Sequence, residues 1–103
     1  MIRARFSADA PQAEVLAALT LVTGARAGLS VEQIDDLVMA LELLVRRQPL
    51  QARSVSFLAG DDGLDVSVSD VDGDWLEQRR AMLAVLVSDL ADDAAGVRLR
   101  VSA

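Results

Sequence analysis

The side chains of this sequence that could do chemistry are carboxylates, arginines and hydroxyls. The 103 residues include no His, Lys, Cys, Tyr or Asn. Their absence removes the commonest general base, the lysines that form Schiff bases or bind phosphate, the thiol nucleophiles and the commonest zinc ligands. Any catalysis or ion binding must therefore depend on Asp, Glu, Arg, Ser or Thr.

The most regular group of carboxylates is Asp70, Asp72 and Asp74, which occupy alternate positions. Alternate carboxylates are typical ligands of Ca²⁺ or Mg²⁺. An EF-hand loop that starts at Asp70 would need Gly at its sixth position and Glu at its twelfth, where Trp75 and Ala81 stand. The pattern therefore favours a loop that caps a helix, and we expect no bound metal.

Glu42 is the other carboxylate that could act as a base. It lies among apolar residues at helical spacing. An isolated Glu on an amphipathic helix usually faces solvent or pairs with a nearby arginine, and pairs of that kind are structural. We predict that Glu42 has no catalytic role and that the chain is not an enzyme.

The overall charge limits the partners. A formal net charge of −6 and an isoelectric point near 4.4 predict repulsion from nucleic acid and from anionic lipid. No stretch approaches the roughly 18 apolar residues of a membrane span, and the first residues alternate instead of forming a signal peptide. We expect a cytoplasmic protein without a nucleic-acid or membrane partner.

Four segments alternate between apolar and polar residues, which is typical of strands with one buried face. They begin near Ile2, Ser54, Leu64 and Val97, and the middle two flank the turn at residues 60–63, which predicts a β-hairpin. The polar face is predicted to carry Arg3, Arg5, Ser54, Ser56, Asp65, Ser67, Ser69, Arg98 and Arg100.

Two helices are predicted between the first and second strands. The first begins near Pro11, has Val15, Leu19 and Val22 on its buried side, and ends within residues 24–28. The second begins at residues 30–33, where Ser and Gln have the spacing of a capping box. Apolar residues then recur at three- and four-residue steps, so one face is continuously apolar until residue 49, a proline.

A third helix is predicted from the capping-box spacing of Asp74 and Glu77, and its apolar stripe runs to Leu90 before Gly96 ends it. The predicted order is β-α-α-β-β-α-β. This order indicates an α/β (α+β) two-layer sandwich, with a mixed four-stranded sheet and three helices on one face. The expected core residues are Phe6, Leu19, Leu41, Phe57, Val66, Leu86 and Leu99.

Residues 21–44 resemble the second-helix region of the anti-sigma factor serine kinases. These belong to the GHKL superfamily of gyrase-like, chaperone-like and histidine-kinase ATPases. The family pattern runs roughly Gly-Leu/Phe-Ser, two or three residues, Ile-Glu-Asp, then Ala-Val-Ser-Glu-Ala-x-x-Asn. The resemblance implies that Glu42 stands where the family activates water or the substrate hydroxyl. The matching positions are Gly28, Leu29, Ser30, Ile34, Asp36, Ala40 and Glu42.

The residues that hold Mg-ATP in that family are replaced here. Arg46 stands in place of the magnesium-binding Asn, and a guanidinium has no acceptor with which to ligate a cation. Asp70 matches the adenine-binding carboxylate of the family's Asp-x-Gly-x-Gly motif, but Asp72 and Asp74 replace its glycines on either side of Gly73. The later Gly-x-Gly lid is missing as well. The resemblance thus implies a vestigial site at these five positions, and no cofactor is expected.

The resemblance and the lost chemistry together predict a single truncated GHKL-like domain over residues 1–103 that acts as a non-catalytic regulatory module. As in anti-sigma factors, its implied partners are a sigma factor, a STAS-type antagonist or an active relative, and it is expected to form a homodimer through its first strand. Two alternatives remain: an unconventional ATP-binding serine kinase that uses Glu42 and Asp70, and a purely structural assembly subunit. The candidate contact residues are Arg3, Arg5, Trp75, Arg98 and Arg100. The alternative for the arginines is ordinary edge protection of exposed strands, and the alternative for Trp75 is half-buried packing at the start of a helix.

Overall fold

The computed structural model describes residues 2–6, 10–45, 53–93 and 96–103, which form an α+β fold of five strands and three helices. The strands are β1 (Ile2–Phe6), β2 (Arg53–Gly60), β3 (Gly63–Ser69), β4 (Asp89–Asp93) and β5 (Gly96–Ser102). The helices are α1 (Ala10–Arg26), α2 (Val31–Val45) and α3 (Gly73–Leu86). None of these helices is long and apolar enough to cross a membrane.

The sheet has the strand order β1-β2-β3-β5-β4, and each neighbouring pair is antiparallel. The prediction of a mixed four-stranded sheet is therefore wrong in strand number and in direction. A strand-helix-strand connection usually returns in the direction of its first strand. Here β4 does so after α3, and β5 then turns back to lie between β3 and β4. The extra strand is what makes all the pairings antiparallel.

The third helix is shorter than predicted. It ends at Leu86, and Val87 already has an extended backbone. Leu90, predicted to lie on this helix, belongs to β4 and pairs with Leu99 of β5. The apolar residues at 86, 87 and 90 suit a helical period, but the pairing with β5 gives the backbone of residues 89–93 a ladder of hydrogen bonds instead.

The predicted β-hairpin is confirmed. β2 and β3 are joined by a two-residue turn, with Gly60 paired to Gly63. Gly63 has φ +155°, and a Cβ built on it would collide with the backbone carbonyl oxygen of Val101 in β5. Gly96 is equally restricted, because its Cβ would collide with the carbonyl oxygen of Val68. Both glycines are needed where β3 and β5 approach each other.

The capping box at the start of α2 is also confirmed. The N–H of Ser30 donates to Gln33 Oε1 at 2.9 Å, and the N–H of Gln33 donates to Ser30 Oγ at 3.1 Å. The Gln33 side chain also donates from Nε2 to the carbonyl oxygen of Ser102 at 2.7 Å. The same residue therefore starts a helix and ties it to the end of β5.

The helices pack against one face of the sheet and form one apolar core with it. Of the predicted core residues, Leu41, Phe57, Val66 and Leu99 are buried. Leu19 and Leu86 are partly buried and pack against them. The side chain of Phe6 lies outside the described part of the chain. The buried side chains of β2, β3 and β5 lie on the helix-covered face: Arg53, Val55, Phe57, Leu64, Val66, Val68, Val97, Leu99 and Val101.

The orientation of α1 differs from the prediction. Val15 and Val22, expected in the core, are each 52% exposed, whereas Leu16, Thr20 and Thr23 are buried. The threonine hydroxyls each donate to the backbone carbonyl four residues earlier at 2.7 Å. Because the helix itself satisfies them, these polar groups can be buried at little cost.

Candidate interaction surface

The face of the sheet that the helices leave open carries the polar residues of the strands. Register places Arg3 of β1 opposite Ser56 of β2, Ser56 opposite Ser67 of β3, and Ser67 opposite Arg98 of β5. These four residues form one row across the sheet. Three strand spacings separate the two arginines, so their Cα atoms lie about 14 Å apart. The row has a cation at each end and small hydroxyls between.

The β1 arginines are held against the serines beside them. Arg3 Nε donates to Ser56 Oγ at 3.0 Å, and Arg5 Nη1 donates to Ser54 Oγ at 3.0 Å. Both arginines are exposed, as the alternation of the first strand predicts. Arg3 makes no ion pair with a described residue. Its guanidinium is thus positioned by the sheet while its charge is not neutralised there.

Arg100 has a different environment. Its Nη1 donates to Asp65 Oδ2 at 2.7 Å and its Nη2 to Asp62 Oδ1 at 2.9 Å, so two carboxylates neutralise it. Arg98, two residues earlier, is exposed and makes no ion pair with any described residue. Of the two β5 arginines, Arg98 is the one whose charge is available to another molecule.

The open face carries more arginines than carboxylates among the described side chains, while the chain as a whole is negative. Arg3, Arg5, Arg98 and Arg100 lie on it. The register also places two carboxylates there, Asp65, which is paired with Arg100, and Asp89 of β4, which lies level with Arg100. The chain carries a formal net charge of −6. Charge of one sign concentrated on one face attracts groups of the other sign, and here those groups are carboxylates or other anions.

The loop before α3 is a helix-capping loop. Asp72 is the N-cap of α3, and its Oδ2 accepts a hydrogen bond from the N–H of Trp75 at 3.2 Å. The predicted capping box of Asp74 and Glu77 is wrong, because the helix begins two residues earlier. Asp74 is exposed in the first turn, and Glu77 instead pairs with Arg80 at 3.1 Å.

The alternating carboxylates of this loop do not converge. Asp70 has the positive φ of +57°, and Asp70, Asp72 and Asp74 are all exposed. In the described ranges no group of three or more acidic residues is arranged to hold a metal ion. A Cβ on Gly73 would have no heavy atom within 4 Å, so no close contact inside the protein requires glycine there.

Trp75 lies at the edge of the core. Its side chain is half-buried and packs against the buried cluster. The guanidinium of Arg79 lies over the indole, 4.8 Å from the ring centroid. Packing on the core side and the cation of Arg79 on the ring face cover much of the indole, so less of its surface is left for a partner.

Of the two positions that the resemblance assigns at 42 and 46, the structure describes the first. Glu42 is half-buried on α2 and makes no ion pair with a described residue. Arg46 lies outside the described residues. α2 packs against α3, the helix that follows Asp70 and Asp72.

One ion-pair cluster is not predicted by the sequence reasoning. Arg80 on α3 contacts Glu77 at 3.1 Å and Asp92 of β4 at 3.0 Å. These hydrogen bonds, that of Asp92 first, raise the pKa of Arg80 above its ordinary value. The ion pair between Arg80 and Asp92 requires β4, and the sequence did not predict this strand because its apolar residues fit a helical period.

Comparison of the sequence with protein-family models finds no matching family, and comparison with curated proteins finds no matching relative. Function is therefore inferred from the residues and geometry of this chain.

Proposed function

We propose that this chain is a non-catalytic protein-binding module whose open sheet face docks an acidic segment of a partner protein. The observation that carries the proposal is the row Arg3, Ser56, Ser67 and Arg98, in which two exposed arginines flank small hydroxyls. Neither arginine makes an ion pair with a described residue.

The row suits an extended or helical acidic segment. Serines in the middle leave room for a partner's backbone to approach the sheet, while the flanking guanidiniums can donate two parallel hydrogen bonds to a carboxylate. The Ser56 hydroxyl already fixes Arg3 through Nε, so less conformational entropy is lost when this side chain binds. Complementary charge would mainly speed association and select the partner.

The residue inventory supports a role without catalysis. The chain lacks the commonest bases and nucleophiles, and Asp72 is engaged as a helix cap. The resemblance to anti-sigma factor serine kinases supports a partner from that regulatory setting: a sigma factor, a STAS-type antagonist or an active relative. A cytoplasmic location and the absence of a nucleic-acid partner are parts of the same proposal, supported by the net charge of −6.

The proposal is tested by capture from an extract of the native host, followed by quantitative mass spectrometry. The test variant combines Arg3→Ser with Arg98→Ser. The control combines Arg47→Ser with Arg79→Ser, which removes the same charge from residues outside the row and outside α1. We expect a partner that wild type and control retain and that the test variant loses, with affinity weakened about tenfold or more and further weakened by salt. A partner bound equally by both double variants contradicts the proposal.

A homodimer is also part of the proposal. β1 is an edge strand of the sheet, as its N-terminal place predicts, and its outer side pairs with no strand of the described ranges, so this edge is one candidate interface. A second candidate lies on the opposite layer, on the outer face of α1.

A further inference from the structure

The outer face of α1 is an exposed apolar stripe. Val15, Leu21 and Val22 are 52%, 55% and 52% exposed. Ala18 and Ala25 are exposed beside them. From Val15 to Ala25 no exposed residue of the helix is polar or charged. We name these five residues the outer stripe. An uncovered apolar stripe on a helix of a small domain usually marks an interface.

Over residues 20–24 the polarity of α1 is the reverse of that of a helix on a monomer surface, although Leu16 and Leu19 still face the core. Such a helix turns its larger apolar side chains to the core and its polar ones to water. In α1, Thr20, Thr23 and Gly24 face inward, while Val22 and Leu21 face outward. The small inner residues let α1 lie close to its neighbours: a Cβ on Gly24 would crowd the side chain of Ile34. Covering the outward side of α1 with another molecule would therefore remove exposed apolar side chains from water.

The stripe is complementary to itself in size. Val15 and Ala25 lie equally far from position 20 along the helix, and so do Ala18 and Val22. If two copies of α1 pack antiparallel about a two-fold axis near that position, each valine lies level with an alanine of the second copy. Large side chains opposite small ones are what allow two helices to interlock.

The charges at the ends of the stripe match the same arrangement. Glu14 and Arg26 are the exposed charged residues that flank it, and they too are equally far from position 20. Antiparallel packing brings Glu14 of one copy level with Arg26 of the other at both ends. Parallel packing would bring like charges level with each other. The helix dipoles also favour the antiparallel arrangement.

We propose that two copies of this chain associate by packing the outer stripes of α1 antiparallel, about a two-fold axis that crosses the outer face of the helix at the level of residue 20. The inference rests on the homodimer included in the proposed function and gives it an interface other than the edge of β1. It does not involve Arg3 or Arg98, which lie on the opposite layer. An anionic lipid surface fits the stripe less well, because helices that bind such surfaces are rich in Lys and Arg, whereas this chain has a net charge of −6.

The first experiment is sedimentation equilibrium over a wide range of protein concentration at low salt. Wild type is expected to reach twice its mass of 11.0 kDa. Val22→Glu should weaken the dimer on the order of 100-fold, because it places a carboxylate in an apolar contact. Val85→Glu is the matched control, since Val85 is 82% exposed on α3, and its dissociation constant should equal that of wild type.

A charge exchange then tests the register with variants that keep the stripe intact. Glu14→Arg and Arg26→Glu should each weaken the dimer at low salt by about 3- to 10-fold, and the double variant should restore it. Restored affinity in the double variant cannot arise from misfolding.

Monomeric wild type at all concentrations overturns self-association without affecting the test of the sheet arginines. A dimer insensitive to Val22→Glu overturns the stripe in favour of another surface such as β1. A double variant that is not restored overturns the antiparallel register.

Discussion

The carboxylate of Asp72 accepts the backbone N–H of Trp75 at 3.2 Å, and this hydrogen bond starts α3 at Gly73. Replacing Asp72 by Ala leaves a helix N-terminus uncapped, which should cost about 0.5–2 kcal/mol of unfolding free energy. Asp72→Asn keeps an acceptor and should lose much less. Urea denaturation followed by circular dichroism measures both. Equal losses in the two variants would show that the cap is not what Asp72 contributes.

The fully buried Leu41 anchors α2 in the core, with 0% of its surface exposed. Leu41→Ala should lower the unfolding free energy by about 2–5 kcal/mol, because it removes apolar contacts and leaves a cavity. Met39→Ala, on the same helix but 54% exposed, is the control and should change little. Chemical denaturation of both variants checks this. If Leu41→Ala were as stable as Met39→Ala, the assignment of Leu41 to the core face of α2 would be wrong.

Gly96 is required by the close approach of β5 to Val68 in β3. Gly96→Ala should therefore destabilise the protein by about 1–3 kcal/mol, since the strands must shift to admit the methyl group. At Gly73, in the first turn of α3, the space around a Cβ is open. Gly73→Ala should be neutral or stabilise by up to about 1 kcal/mol. The denaturation midpoint should fall for Gly96→Ala and should not fall for Gly73→Ala, and a loss in both variants would contradict the assignment.

Arg80 ties α3 to the edge strand β4 through Asp92. The hydrogen bonds to Asp92 and Glu77 raise the pKa of Arg80, so the part of the stability that depends on its charge is present at neutral pH and is lost as pH rises into strong alkali. Arg80→Gln should speed amide hydrogen exchange in β4 and leave the β2–β3 pairing unchanged. Arg79→Gln, which removes the cation over Trp75, is the control. Exchange unchanged in β4 would mean that the ladder to β5 alone holds the strand.

Mg-ATP is expected not to bind. Arg46 cannot ligate the metal, and Asp72 and Asp74 would repel a triphosphate. Calorimetry at millimolar Mg-ATP should give no saturable isotherm, and titration with Mg²⁺ alone is the control. A dissociation constant below about 1 mM, equivalent to roughly −4 kcal/mol, would contradict the non-catalytic reading and favour the kinase alternative.

Local signals predicted most of the fold. The Ser30–Gln33 capping box and the two-residue hairpin turn depend on neighbours in the chain, and both are confirmed. The sequence did not predict β4, because Leu90 fits a helical period. What makes residues 89–93 a strand is their pairing with β5, for example Leu90 with Leu99, and the local pattern of apolar residues does not show such a tertiary contact.

Two further differences have the same origin. α1 is apolar on more than one side, so its pattern alone could not show that buried Thr20 would exclude Val22 from the core. On the open sheet face, alternation correctly placed the arginines. It could not show that the register would bring Asp62 and Asp65 to Arg100 and leave Arg98 without an ion pair among the described residues.

The pairing of β1 with β2 has a consequence for folding kinetics. The β2–β3 hairpin closes across two residues, whereas Phe6 meets Arg53 only after the chain has passed through both α1 and α2. Loop closure makes the hairpin the early pairing, and the non-local β1 raises the contact order and joins late. Until then the edge of β2 accepts an identical strand from another molecule. Exchange of β1 between chains is therefore the misfolding route to expect when refolding at high concentration.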